Sequence, residues 1–200
     1  MRSSVPWWAL LSSTAAPTAL IGGWTLAASR QPGDFDSTVQ TISALAARGA
    51  TDRWLMTAAL VCVGVAHVVT ALGLSPAAPA GRIVLGVGGV ATVLVAAFPL
   101  PAAGTSPEHA AAATAAFVAL AMWPAPARRR GPAPAMLRPA ASFAAALVLV
   151  GLIGWFAVTL STGGPVGLAE RLAAGAQACW PLIVVLSSRR GTPQLIATSS

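Results

Sequence analysis

Apolar residues gather into blocks long enough to cross a lipid bilayer, and they do so six times along the chain. The blocks run from Trp7 to Ser29, Arg53 to Leu74, Arg82 to Leu100, Pro107 to Trp123, Ala140 to Ser161 and Gly167 to Ser187. At about 17–23 residues each they are roughly 25–34 Å long as helices. A strand or irregular segment facing lipid would leave its N–H and C=O groups unpaired, so these blocks are expected to be helical. Composition agrees. Hydrophobic residues make up 56% and charged residues 8% of the chain, against about 25% charge in a soluble domain, and the mean hydropathy is +0.75. A water-soluble globule is excluded. The expected fold is all-α: a six-transmembrane-helix bundle forming one integral membrane domain over residues 1–200. The first block is too long for a secretory signal core and is read as a retained helix.

Orientation follows from the arginines, which supply all 12 basic residues. Arg2, Arg82, Arg128, Arg129, Arg130, Arg138, Arg189 and Arg190 fall on one side of a six-span chain. Arg30, Arg48, Arg53 and Arg171 fall on the other, with all five acids: Asp34, Asp36, Asp52, Glu108 and Glu170. The positive-inside rule makes the first side cytoplasmic, giving N-in and C-in, with 188–200 as a cytoplasmic tail. This sorting accounts for the +7 charge and removes the case for a nucleic-acid partner. Arginine without lysine, beside abundant alanine, points to a GC-rich bacterial genome and hence to the bacterial plasma membrane. Cys62 and Cys179 each lie inside an apolar block and make no disulfide framework or CxxC motif.

Two loops stand out. Residues 30–52 form the long outer loop, in which a short amphipathic helix is expected, capped by Asp36 or Ser37, with Val39, Ile42 and Leu45 on one face and Arg48-Gly49 at its end. It would lie flat on the outer leaflet or fold over the bundle mouth as a lid. The lid is favoured because polar residues converge there. Residues 124–139 form a basic, proline-rich cytoplasmic loop, read as an extended, solvated connector.

Polar residues inside apolar helices mark where chemistry would sit. His67 shares a helix face with Gly64, Thr70 and Ala71, opposite Val61, Val65, Val68 and Leu72; the first face should point inward and the second toward lipid. Either it is a ligand or relay, or its neutral ring bonds a neighbouring helix. Ser106 and Pro107 begin a helix whose first turn carries Glu108 and His109. Glu170, Gln177 and Pro181 descend one face of the last helix as interhelical glue or a cavity wall, and Glu170 has Arg48 and Arg53 as candidate ion partners. There is no HExxH, GxSxG or P-loop, and two histidines without a nearby cysteine make a poor zinc set. No metal and no cofactor is expected.

The stretch Phe35-Asp36, Thr41-Ile-Ser-Ala-Leu45, Trp54-Leu-Met56, the pair Phe98-Pro99 followed by His109, Glu170-Arg171 and Trp180-Pro181 come in an order that spans almost the whole chain. In this the chain resembles the bacterial integral membrane family called domain of unknown function 998. The family often has an acid shortly after the Phe-Pro pair, where this chain has Pro101 and small residues. The resemblance implies the fold and topology and adds weight to Asp36, Ser43, His109, Glu170 and Arg171. It implies no substrate.

Three functions fit these residues, and whether the chain is an enzyme is left open. The first is a bundle that binds a membrane lipid or other amphiphile at an outer-face polar cavity. Asp36, His109, Glu170 and Arg171 would hold the head, and His67 and Gln177 would wall the interior. The second is a membrane-embedded hydrolase or transferase on a lipid, with His109 as general base, Glu170 or Asp36 orienting it, and Ser43 as nucleophile. The third is an accessory or scaffold subunit with a membrane-protein partner.

Overall fold

A computed structural model describes residues 5–190; Arg2 and residues 191–200 of the expected tail lie outside them. The long helices are α1 (Trp7–Ala28), α3 (Trp54–Gly73), α4 (Pro79–Ala97), α5 (Pro107–Met122), α7 (Pro139–Thr162) and α8 (Val166–Arg190). Single turns, α2 (Ile42–Leu45) and α6 (Pro124–Ala127), lie in the connections, and a 3-10 turn, Ala135–Leu137, precedes α7. No strand occurs among the described residues.

Four helical segments are long and apolar enough to cross a membrane: Trp54–Gly73, Pro79–Ala97, Pro107–Ala127 and Pro139–Thr162. With 22 and 25 residues, α1 and α8 match them in length. Ser12, Ser13, Thr14 and Thr18 dilute the apolar character of α1, as Glu170, Arg171 and Gln177 do that of α8. Those polar groups are used inside the protein. Ser12 Oγ and Thr70 Oγ1, 2.8 Å apart, join α1 to α3, while the hydroxyls of Thr14 and Thr18 donate to carbonyls of their own helix. At its other end α8 continues through Arg189 and Arg190, past the expected stop at Ser187. Cations are favoured in the last turn of a helix, beside its unpaired carbonyls.

Each long helix packs on the next in the chain, and α8 returns to pack on α1, so the six close into a ring. At the crossing of α3 and α4 glycine faces glycine. A Cβ on Gly64 would sit 2.5 Å from the Gly89 carbonyl oxygen, and one on Gly89 2.6 Å from that of Gly64. The two backbones therefore meet with no side chain between them. Burial on α3 follows the expected faces: Gly64, His67, Thr70 and Ala71 are buried, whereas Val61, Val65 and Leu72 are exposed. Two apolar cores result. One gathers Leu20, Met56, Ala59, Val95 and Ala112 near the acid-bearing end, the other Leu74, Leu85, Leu120, Trp123 and Leu137 near the arginine-bearing end.

Both long connections differ from expectation. Between α1 and α3 the helix is a single turn. Asp36 does cap, but what it closes is a turn over residues 36–40, where Thr38 donates to its carboxylate from both N–H (2.8 Å) and hydroxyl (2.7 Å). The chain then extends at Thr41, whose hydroxyl caps α2 by accepting the Ala44 N–H. Val39, expected on the apolar face, is 54% exposed. The proline-rich segment is an exposed, irregular connector only over residues 129–132. On either side it folds back against the bundle, because Pro124, Ala127 and Leu137, next to the buried Trp123, are apolar enough to be drawn into the core.

Candidate functional site

The acid-bearing end is closed by the α1–α3 connection. Ile42, Leu45 and Ala46 are buried in the same core as Met56, Ala59 and Ala96, so this segment folds over the bundle end. Its anchors come from the first turns of α8. The buried Glu170 carboxylate accepts the Ile42 N–H through Oε2 and the Ser43 hydroxyl through Oε1 (3.3 Å). A carboxylate at a helix start satisfies N–H groups that have no partner within the helix. Arg171 holds the preceding turn: its Nη1 donates to the carbonyls of Ser37 (2.7 Å), Gln40 (2.8 Å) and Gly167 (3.0 Å). The Leu168 N–H adds a bond to the Thr38 carbonyl at 3.0 Å. Gly167 permits this approach, because a Cβ there would run into the carbonyl oxygens of Gln40 and Ser37.

Beneath this cap lies a cavity of about 60 Å³. Its walls come from α1, α3, α4, α5 and α8, and none of the lining residues is on α7. Ser43 and Glu170 form the roof; Leu60, Val63, Val95, Ala116 and Phe117 make the apolar walls; His67, Thr92 and Gln177 lie deeper. Glu170 and Gln177 are seven residues apart on one helix, so roof and floor are separated by about 10 Å. The cavity is therefore narrow for its length.

The floor is only partly satisfied. His67 Nδ1 lies 2.8 Å from the Val63 carbonyl of the preceding turn. A carbonyl can only accept, so a neutral ring carries its hydrogen on Nδ1 and its lone pair on Nε2. That Nε2 is buried with no hydrogen-bond partner. Gln177 crosses to α5, its Nε2 donating to the Phe117 carbonyl at 3.0 Å. Pro181, inside α8, has no N–H to offer the Gln177 carbonyl one turn earlier, and this stretch of backbone is the neighbour of His67.

The structure distributes the expected site residues over two roles. His67, Gln177, Glu170 and Ser43 share the cavity. Asp36 and Arg171 bind the capping segment. His109 is not among the cavity residues: its Nδ1 donates to the Phe98 carbonyl at 2.8 Å, and no hydrogen bond joins it to Glu170, Asp36 or Ser43. Neither Arg48 nor Arg53 pairs with Glu170. The Arg48 N–H donates to the Leu100 carbonyl, and the Arg53 guanidinium stacks 3.9 Å above the Trp54 ring. Among the described residues no group of three metal-ligating side chains comes together.

The motif residues thus fasten one another: Glu170-Arg171 to the Phe35–Leu45 stretch, and His109 to Phe98. The family model described as protein of unknown function, DUF998, matches residues 14–187. The chain belongs to that family. Comparison with curated proteins and with solved structures finds no match to either. Sequence reasoning missed Thr92, Phe117 and the orphaned side of His67. The freed Gln177 carbonyl was legible in Pro181 standing four residues after a buried glutamine.

Proposed function

We propose that this protein binds a lipid or other amphiphile within the bundle, in the cavity closed by the α1–α3 connection. The observation that supports it is the combination of a narrow, mostly apolar cavity with polar groups at both ends, Ser43 and Glu170 above and His67, Thr92 and Gln177 below. Apolar walls favour an alkyl chain, and the few polar groups orient it. Asp36 and Arg171 contribute by holding the closed position of the cap, and His109 by fixing the turn that leads into α5.

The membrane setting is part of this reading. The protein spans six times, with α1 and α8 completing the ring begun by the four more apolar segments, and lies N-in and C-in in a bacterial plasma membrane. Its arginine distribution supports that orientation. Arg82 donates to the Ala71 and Leu72 carbonyls, and Arg129 to those of Pro76 and Ala77, all at one end of the bundle.

Native mass spectrometry of the protein in nanodiscs tests the binding. Wild type should retain a discrete amphiphile that Ala113→Phe, which fills the cavity from α5, loses. Equal retention by the two would reject the reading.

A further inference from the structure

Resting on that reading, we propose that the floor of the cavity is a hydroxyl site and that the ligand is a neutral, long-chain alcohol whose O–H donates to His67 Nε2. The Nδ1 side of His67 is committed to Val63 at 2.8 Å, which leaves Nε2 as an acceptor, buried and unpartnered, on a residue that lines the cavity. An unsatisfied buried acceptor carries its full desolvation cost until a donor arrives. The backbone beside it is the carbonyl released by Pro181, also an acceptor. With the ring hydrogen held on Nδ1 by Val63, these two acceptors cannot satisfy each other, and a guest hydroxyl would supply the missing donor.

The charge of that guest is constrained as well. No arginine is among the cavity residues, and Glu170 is already engaged by Ile42 and Ser43. A phosphate or carboxylate would therefore enter without a cation, and an ammonium would find no free counter-ion; either would carry a large desolvation cost. A hydroxyl supplies the donor without a charge. A narrow cavity about 10 Å from roof to floor leaves room above it for a single unbranched chain.

The test uses octan-1-ol bearing a diazirine on its chain, with octane and octanoate carrying the same group, on the full protein in phosphatidylcholine nanodiscs. Adducts are mapped by peptide mass spectrometry after irradiation. The alcohol should label cavity residues such as Ala113 and Ala174 about tenfold more than the octane analogue, the ratio one buried hydrogen bond commands. His67→Leu should abolish that preference while leaving labelling by octane unchanged. Equal labelling by alcohol and octane would overturn the hydroxyl site yet leave amphiphile binding intact. Stronger labelling by octanoate would overturn neutrality. Labelling confined to the outer surface with every probe would mean that the cavity holds only water, and would sink both the hydroxyl site and the binding reading. Because the three probes are compared on wild type, the result stands even if the His67→Leu chain fails to fold.

Discussion

The two ends of the bundle are closed by different balances of apolar burial and polar ties. At the acid-bearing end, the cap is tied down by side chains reaching from α8 to loop backbone: Glu170 to Ile42 and Ser43, Arg171 to Ser37 and Gln40. At the other end the returning segment is buried by its own apolar residues. Trp123 and Ala127 are fully buried and Leu137 nearly so. Arginine appears there too, but on the rim, with Arg128 over the Phe143 ring at 5.0 Å and Arg129 on loop carbonyls. The first cap buries only Ile42, Leu45 and Ala46 and depends on side-chain hydrogen bonds for the rest, so it should open more readily. A cap held by buried aromatic and aliphatic surface cannot lift without exposing core. The first end is the one with a cavity beneath it.

The largest effect should come from the apolar end. Trp123→Ala should lower stability by about 3–5 kcal/mol, read as a large fall in thermal midpoint in nanodiscs. Trp123→Phe should be nearly neutral, because the indole N–H is buried without an acceptor and its removal leaves nothing unpaired. A loss in the phenylalanine variant as large as that in the alanine variant would show that buried apolar area is not what holds this cap. At the acid-bearing end, Glu170→Ala should cost about 1–3 kcal/mol. It should act locally, with faster hydrogen exchange over residues 42–46 and unchanged protection in α4 and α7. Global loss of protection would erase the contrast between the ends. Gly167→Ala should reproduce that local opening, since the new Cβ displaces the Gln40 carbonyl.

The smallest effect belongs to Asp36. Hydrogen bonds from the Thr38 N–H and hydroxyl, helped by the charge of Arg171, hold its carboxyl below the usual range. A depressed value in the folded state means that its contribution is present above the unfolded value, near ~3.9, and fades as pH falls through the lower folded one. The Thr38 amide resonance should therefore titrate below about pH 4 and stay flat in Asp36→Asn. A flat wild-type resonance would remove Asp36 from the cap.

Much of the architecture was legible before any coordinates. Blocks of apolar residues located the long helices, the spacing of Gly64, His67, Thr70 and Ala71 identified the inward face of α3, and Ser106-Pro107 marked the start of α5. The candidate site was legible in its membership but not in its wiring. Glu170 and Arg171 read in the sequence as a charged pair at a helix start, with Arg48 and Arg53 as candidate ion partners for the acid. Both in fact bind backbone. His109 stood beside Glu108 in sequence as a candidate base, yet its ring turns to Phe98.

Hydropathy and helical period are local properties, written in side chains a few residues apart, and from them the sequence alone determined a membrane class, the helix positions and which end carries which charge. The partners of Glu170, Arg171 and His109 are main-chain groups of distant turns. Every residue has the same N–H and C=O, so nothing in the sequence singles out Ile42, Ser37, Gln40 or Phe98 as their mates. Only the closure of six helices into a ring, which brings α8 against the segment after α1, decided that Glu170 and Arg171 would hold a cap over a cavity and leave one side of His67 unpaired.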